Sequence, residues 1–163
     1  MLKVALADYR EPRDAQAVAA LLDGYASEPS GGGQALAPEV KARLVAEMAA
    51  RPHLFSVLAW AAEGSSRQAV GLINCVEGFS TFAARPLINV HDVVVLASHR
   101  RQGVAQAMFE CVEREALRRG ACKLTLEVLA GNAPAQRLYR KQGFAPYALD
   151  PAWGDAMMWQ KKL

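Results

Sequence analysis

Arg100-Arg101-Gln102-Gly103-Val104-Ala105 stands between an apolar run, Val93 to Leu96, and a helical pattern that continues to about Arg119. A strand that turns through small residues into a helix aims several unpaired backbone N–H groups, and the positive end of the helix dipole, at one point in space. That point suits a phosphate. The helix itself places Val104, Ala105, Met108, Val112 and Ala116 on one side, with Glu115 intruding there and Leu117 on the polar side, and Gly120 closes it as a C-terminal cap would.

Working outward, the chain alternates. Upstream lie a long strand from about Leu87 to Leu96 and two more, Leu54 to Ala62 and Ala69 to Glu77, joined by the hairpin signal Glu63-Gly64-Ser65-Ser66-Arg67. Two helical patterns precede them, Glu11 to Ala26 and Ala37 to Ala50, with Val18, Leu21 and Leu22 striping the first and Val40, Leu44, Val45 and Met48 the second. Between these helices, Ser30-Gly31-Gly32-Gly33-Gln34 reads as a flexible surface linker, because no strand leads into it. Downstream come a strand from Cys122 to Val128, a short helix from Ala133 to Gln142 closed by Gly143, and terminal strands near Phe144 to Ala148 and Ala156 to Lys161. This order predicts an α/β fold with a mixed sheet of about seven strands and about four helices, hairpins at the front and a crossover at the back. A right-handed crossover sets the Arg100 loop beyond the carboxyl end of its strand, where open sheets bind ligands.

Composition narrows the classes. A chain of 163 residues, 52% apolar and 21% charged, is expected to form one globular domain over 1–163. No apolar run approaches the length of a membrane span, and Asp8 interrupts the N-terminus before a signal-peptide core can form. The expectation is a cytoplasmic protein that binds no membrane. Cys75, Cys111 and Cys122 are odd in number, widely spaced and set among apolar neighbours, which fits buried thiols better than a metal site or a disulfide framework. The net charge of +3 is spread over helix ends, and the aromatic residues do not interleave with it, so nucleic-acid binding is not expected.

The phosphate ligand is narrowed by elimination and then by likeness. A dinucleotide fingerprint needs further glycines and a P-loop needs Lys with Ser or Thr, and only Gly103 is present. What the six residues do fit is the pyrophosphate signature of the GCN5-related N-acetyltransferases: Gln or Arg, two variable residues, Gly, one variable residue, then Gly or Ala. A second motif of that family follows at the right remove, Asn132-Ala133-Pro134-Ala135-Gln136-Arg137-Leu138-Tyr139 with Gly143-Phe144, after the strand Leu124-Thr125-Leu126-Glu127-Val128. The chain resembles this family from about Val90 to Phe144. It departs at Ala97, where many members carry Pro, a change that affects loop stiffness more than ligand chemistry.

The resemblance implies a sheet splayed at its centre by a bulge in the central strand, and acetyl-CoA as co-substrate, with no metal. It assigns cofactor contacts to Arg100, Arg101, Gln102, Gly103, Val104 and Ala105, whose N–H groups from Arg101 onward would cradle the pyrophosphate. The main-chain groups of Val93 and Val95 would pair with the pantetheine arm, Asn132 would hydrogen-bond it, and Tyr139 would stand beside the sulfur. A phenol holds its proton at neutral pH yet can give it to a developing thiolate, so Tyr139 is expected as general acid; the alternative is a buried aromatic anchoring the last helix. Three residues compete as general base: Glu127, Asp92 and His91, with strand alternation expected to send the last two to opposite faces. A water relay, or an acceptor already neutral, would need none of them.

The implied reaction is direct attack of a primary amine, on a small molecule or a peptide, within a ternary complex. Gly78 to Asp92 is also similar to the polyamine-type branch, but His91 replaces one of its paired carboxylates, which argues against a dicationic acceptor. Loops at Ser27 to Gln34 and Ala148 to Gly154 would wall the acceptor site, making Asp150, Trp153 and Asp155 candidates to grip an amine. The alternative function is a non-catalytic CoA-binding module. Many relatives pair as homodimers, though no stripe in the chain demands it.

Overall fold

The computed structural model describes residues 1–63, 66–147, 149, 150, 152, 154 and 156–162. The chain forms two compact units, Met1–Leu126 and Glu127–Leu163. The first contains strand β1 (Leu2–Leu6), helices α1 (Pro12–Ser27) and α2 (Pro38–Ala49), strands β2 (Leu54–Glu63), β3 (Ser66–Ser80) and β4 (Arg85–Val95), helix α3 (Val104–Arg118) and strand β5 (Leu124–Leu126). Pro12 and Pro38 each stand in the first turn of their helix, where a missing N–H costs nothing.

The sheet runs β1-β2-β3-β4-β5. Its first four strands pair antiparallel, and α3 carries the chain across to β5, which lies parallel to β4. Alternation divides the side chains between two faces. On one, Leu58, Leu72 and Val94 pack with Ala17, Val18, Leu21 and Met48 of the first two helices. The other face lies under α3, whose Met108, Phe109 and Val112 are fully buried, each contributing roughly 1.5–3 kcal/mol of apolar burial. There Gly71 permits close approach, since a Cβ on it would stand 2.8 Å from Met108 Cε. Glu115 is buried and Leu117 exposed on α3, as the pattern predicts.

Two expectations change. The described residues form five strands, not seven: 144–147 and 156–162 join no ladder. Pro146 lacks the donor a ladder needs, and Met157, Met158 and Trp159 stand largely exposed, so neither segment gains the buried face that holds a strand. The Gly-rich stretch after α1 is a bonded turn, with Gly31 and Gly33 both donating to Glu28 O and Gln34 to Ala26 O. Gly31 is required there, because a Cβ would collide with the Tyr25 carbonyl.

The second unit holds α4 (Ala133–Lys141), capped by Asn132 Oδ1, which accepts from Ala135 N at 3.2 Å. Gly143 takes φ +84° past its end, and Phe144 N–H turns back to Tyr139 O at 3.0 Å. The Tyr139 and Phe144 rings then meet edge to face, centroids 6.1 Å apart.

Candidate active site

The Arg100 loop exits β4 through a short 3-10 turn at Ala97–His99. Arg101 and Gly103 both adopt left-handed backbone, φ +61° and +80°. For Arg101 that geometry costs roughly 1–2 kcal/mol, and strain of this kind is usual where backbone is shaped around a ligand. The first helical bond of α3 runs from Ala107 N–H to Gly103 O at 3.0 Å, so the N–H groups of the first turn have no intrahelical acceptor. The loop itself is exposed, and a Cβ at Gly103 would meet nothing within 4 Å. An anion could therefore approach this backbone directly. Val104 is turned into the core and serves by position, while Ala105 is half-buried on the first turn.

The side chains of Arg100 and Gln102 are engaged locally. Arg100 Nε donates to Val95 O at 2.9 Å, and its Nη2 reaches both carboxylate oxygens of Glu28 at 2.7 and 3.0 Å. Gln102 Nε2 donates to Ser98 O at 2.9 Å. Arg100 thus ties the turn after α1 to the end of β4.

The β4–β5 ladder has three pairs and ends at Val90↔Leu126, while β4 runs on to Val95. Leu96 N–H donates to Val70 O, so by alternation Val94 and Leu96 turn their main-chain groups toward β3, and Val93 and Val95 turn theirs to the opposite edge. This is where the splay was expected. On the β3 side, Asn74 pairs with Asp92 but Cys75 pairs with Val90, leaving His91 as an extra residue in a bulge. The bulge overturns the expectation that His91 and Asp92 point to opposite faces: His91 Nδ1 lies 3.4 Å from Asp92 Oδ2. His91 is exposed and Asp92 mostly sheltered.

Asp92 also accepts from Asn74 Nδ2 at 3.0 Å, and Asn74 Oδ1 accepts from Ser56 Oγ at 2.6 Å. Tyr9 OH lies 2.8 Å from the same Ser56 oxygen. Burial, with the nearby charges of Asp92 and Glu28, pushes the Tyr25 phenol up, and burial alone dominates the rise at Tyr9. Cys75 lies beneath this row, buried, its thiol pushed up by desolvation and so held away from the reactive thiolate form.

The remaining candidates lie in the second unit. Glu127 is exposed just beyond the end of β5, and Tyr139 is half-buried on α4. Asn132 spends its carbonyl on the helix cap, which leaves its NH2 as the group that can donate to a ligand. Asp150 is exposed, with Oδ1 accepting from Ala152 N; Trp153 and Asp155 lie outside the described residues. No helix among the described residues is long and apolar enough to cross a membrane, and none of their His, Cys, Asp and Glu side chains assemble a metal-binding group. A cavity of about 430 Å³ opens at the other end of α3, between Asp8, Arg10, Glu115 and Arg118, away from the loop.

Ser56, Asn74 and Tyr9 were not singled out from the sequence. The available signal was polarity within apolar strands, Ser56 in Leu54-Phe55-Ser56-Val57-Leu58 and Asn74 in Leu72-Ile73-Asn74-Cys75, since a buried polar side chain requires a partner.

Streptothricin acetyltransferase from Streptomyces lavendulae is 36% identical over 87 residues, 52% of this chain and 46% of that protein. Its counterpart from Escherichia coli is 34% identical over 79 residues, 48% of this chain and 44% of that one. The chain therefore matches less than half the length of these relatives. Among solved structures, AAC(6')-Iy in complex with the bisubstrate analogue CoA-S-monomethyl-acetylneamine superposes with a TM-score of 0.76 at 16% identity, covering 100% of this chain and 99% of that one, a likeness of fold. Residues 18–144 match the profile of the Acetyltransferase (GNAT) family. With that span holding the strained loop at the start of α3 and the strand that outruns its neighbour, the chain belongs to the GNAT acetyltransferases.

Proposed function

We propose that the protein transfers the acetyl group of acetyl-CoA directly to a primary amine of a small molecule. The observation that carries this reading is the first turn of α3, whose N–H groups have no intrahelical acceptor, following a β4 that outruns β5, a donor-rich backbone surface suited to a pyrophosphate and its amide-bearing arm. In it the N–H groups from Arg101 to Ala105 hold the pyrophosphate, the main chain of Val93 and Val95 pairs with the arm, and the Asn132 NH2 donates to it. Bound acetyl-CoA supplies an activated thioester.

Asp92 is favoured as general base over Glu127 and His91. Its carboxylate is sheltered and fixed by a hydrogen bond, whereas Glu127 and His91 are exposed. In the step that follows, the amine nitrogen bonds to the thioester carbon, its surplus proton passes to Asp92, and the C–S bond breaks. Tyr139 gives its phenolic proton to the departing thiolate. The desolvated Cys75 thiol favours this direct route over an acyl-enzyme on that residue.

Matches to streptothricin acetyltransferases make streptothricin the first acceptor to test, with neamine as a second. Free thiol released from acetyl-CoA is followed with and without each amine, and the acetylated product identified by mass. Amine-dependent release that drops at least tenfold in Tyr139→Phe is expected. Binding of acetyl-CoA without any amine-dependent release would instead establish a non-catalytic CoA-binding module.

A further inference from the structure

Ser56, Asn74 and Asp92 form a row straight across β2, β3 and β4, each directly opposite the next in the ladder. They lie on the α1 and α2 face, one step of alternation from the apolar row Leu58, Leu72 and Val94. Ser56 is wholly buried and Asn74 only 7% exposed. A buried polar row costs desolvation that an apolar row would avoid, unless each member is bonded. Here each member is bonded.

The direction of these bonds is fixed by chemistry. An ionised carboxylate only accepts, so Asn74 must turn Nδ2 to Asp92 and Oδ1 to Ser56, which is the arrangement observed. Ser56 has one proton and gives it to Asn74, so Tyr9 must be the donor in its contact with Ser56. Tyr9 is suited to this, since burial holds its phenol protonated. Three donors in series therefore point one way, Tyr9 to Ser56 to Asn74 to Asp92, and each strengthens the next. The row ends on the carboxylate at the place where β4 outruns β5. Because an amide does not pass a proton along such a chain, the row orients Asp92 and does not conduct to it.

We propose that Asn74, oriented by Ser56 and Tyr9, is a positioning residue that holds the Asp92 carboxylate in one rotamer as proton acceptor for the incoming amine. This rests on Asp92 being the base. The other titratable groups around that carboxylate are His91 on β4, Cys75 on β3 and Tyr25 near the end of α1. His91 Nδ1 lies 3.4 Å from Oδ2, and its exposure makes it a poor anchor.

The test is a double-mutant cycle in the full chain, with acetyl-CoA as donor and streptothricin as acceptor. Asn74→Leu should lower kcat about 10- to 100-fold and leave the KM for acetyl-CoA unchanged, as expected for loss of a hydrogen bond to a charged group. In an Asp92→Asn background the same change should cost less than about twofold, because the group being positioned is gone. Equal losses in both backgrounds, or none in either, overturn the positioning role. Should Asn74→Leu fail to fold, Ser56→Ala removes only the upstream donor and should lower kcat several-fold in the same pattern. Full activity of Asp92→Asn would sink the base assignment instead. The side-chain amide signals of Asn74 in a nitrogen-15 spectrum supply a readout independent of any acceptor. They should be a resolved, slowly exchanging pair that moves in Asp92→Asn; signals unmoved by that substitution overturn the proposal whatever the turnover shows.

Discussion

Replacing Gly103 by alanine separates the loop's proposed service to a ligand from its service to the fold. Gly103 sits at φ +80°, where an L-residue pays roughly 1–2 kcal/mol, and its Cβ would meet no atom within 4 Å. The whole structural penalty is therefore conformational, and for a chain of this length it lowers the melting temperature by roughly 2–8 °C. If the backbone here cradles a pyrophosphate, relaxation of the loop toward negative φ turns one or two N–H groups away from an anion, each such bond being worth about 1.5–3 kcal/mol. CoA should then bind at least about tenfold more weakly to the folded variant. Titration calorimetry with CoA and with pantetheine, which lacks the pyrophosphate, makes the comparison. The reasoning predicts a loss for CoA and an unchanged constant for pantetheine. Equal losses for both ligands, or none for CoA, would refute it.

Other predictions concern the frame. Glu115 is 4% exposed and bonds both Arg118 and Arg119, whose guanidinium groups, Arg118 first, hold its carboxyl down to about 2 from an ordinary 4.5. Glu115→Ala should cost about 3 kcal/mol in urea unfolding at neutral pH, the low end for a broken buried pair, since Arg119 keeps Glu77. Because the folded value lies below the unfolded one, this contribution is whole above about pH 4.5 and is lost as pH falls toward about 2, so the gap between wild type and variant should close over that window. Gly31→Ala drives a Cβ into the Tyr25 carbonyl and should destabilise by about 1–3 kcal/mol, measured by thermal melting. Arg100→Ala breaks an ion pair whose side chains are 50% and 42% exposed, so its effect on stability should stay below about 1 kcal/mol in the same melts.

The elements legible in the sequence are those with strong local signals. The stripe of α3, the buried Glu115 and exposed Leu117 upon it, the hairpin of β2 and β3, and the striped first two helices all follow from periodicity and turn chemistry. The junction at Arg100 to Ala105 is legible because its signal is local too: a strand, a glycine and a helix start within a few residues. What escaped depends on pairing. The resemblance implies a bulge in the central strand, but its position at His91 arises from register against β3, and nothing in Val90-His91-Asp92 announces it. The Glu28–Arg100 ion pair joins positions far apart in the chain. The row from Tyr9 to Asp92 draws one residue from each of four segments, and of its members the sequence singles out Asp92 alone. Apolar composition alone predicts the terminal strands, but Pro146 and the exposed Met157 to Trp159 supply no buried face to hold them.

Titrating CoA into the nitrogen-15-labelled protein and following its backbone amides tests the proposed cofactor site most directly. The largest shifts are expected at Arg101, Gln102, Gly103, Val104 and Ala105, with further movement at Val93 and Val95 and saturation at one CoA per chain. Shifts that leave these amides in place and gather at Asp8, Arg10 and Arg118, around the cavity at the far end of α3, would contradict it.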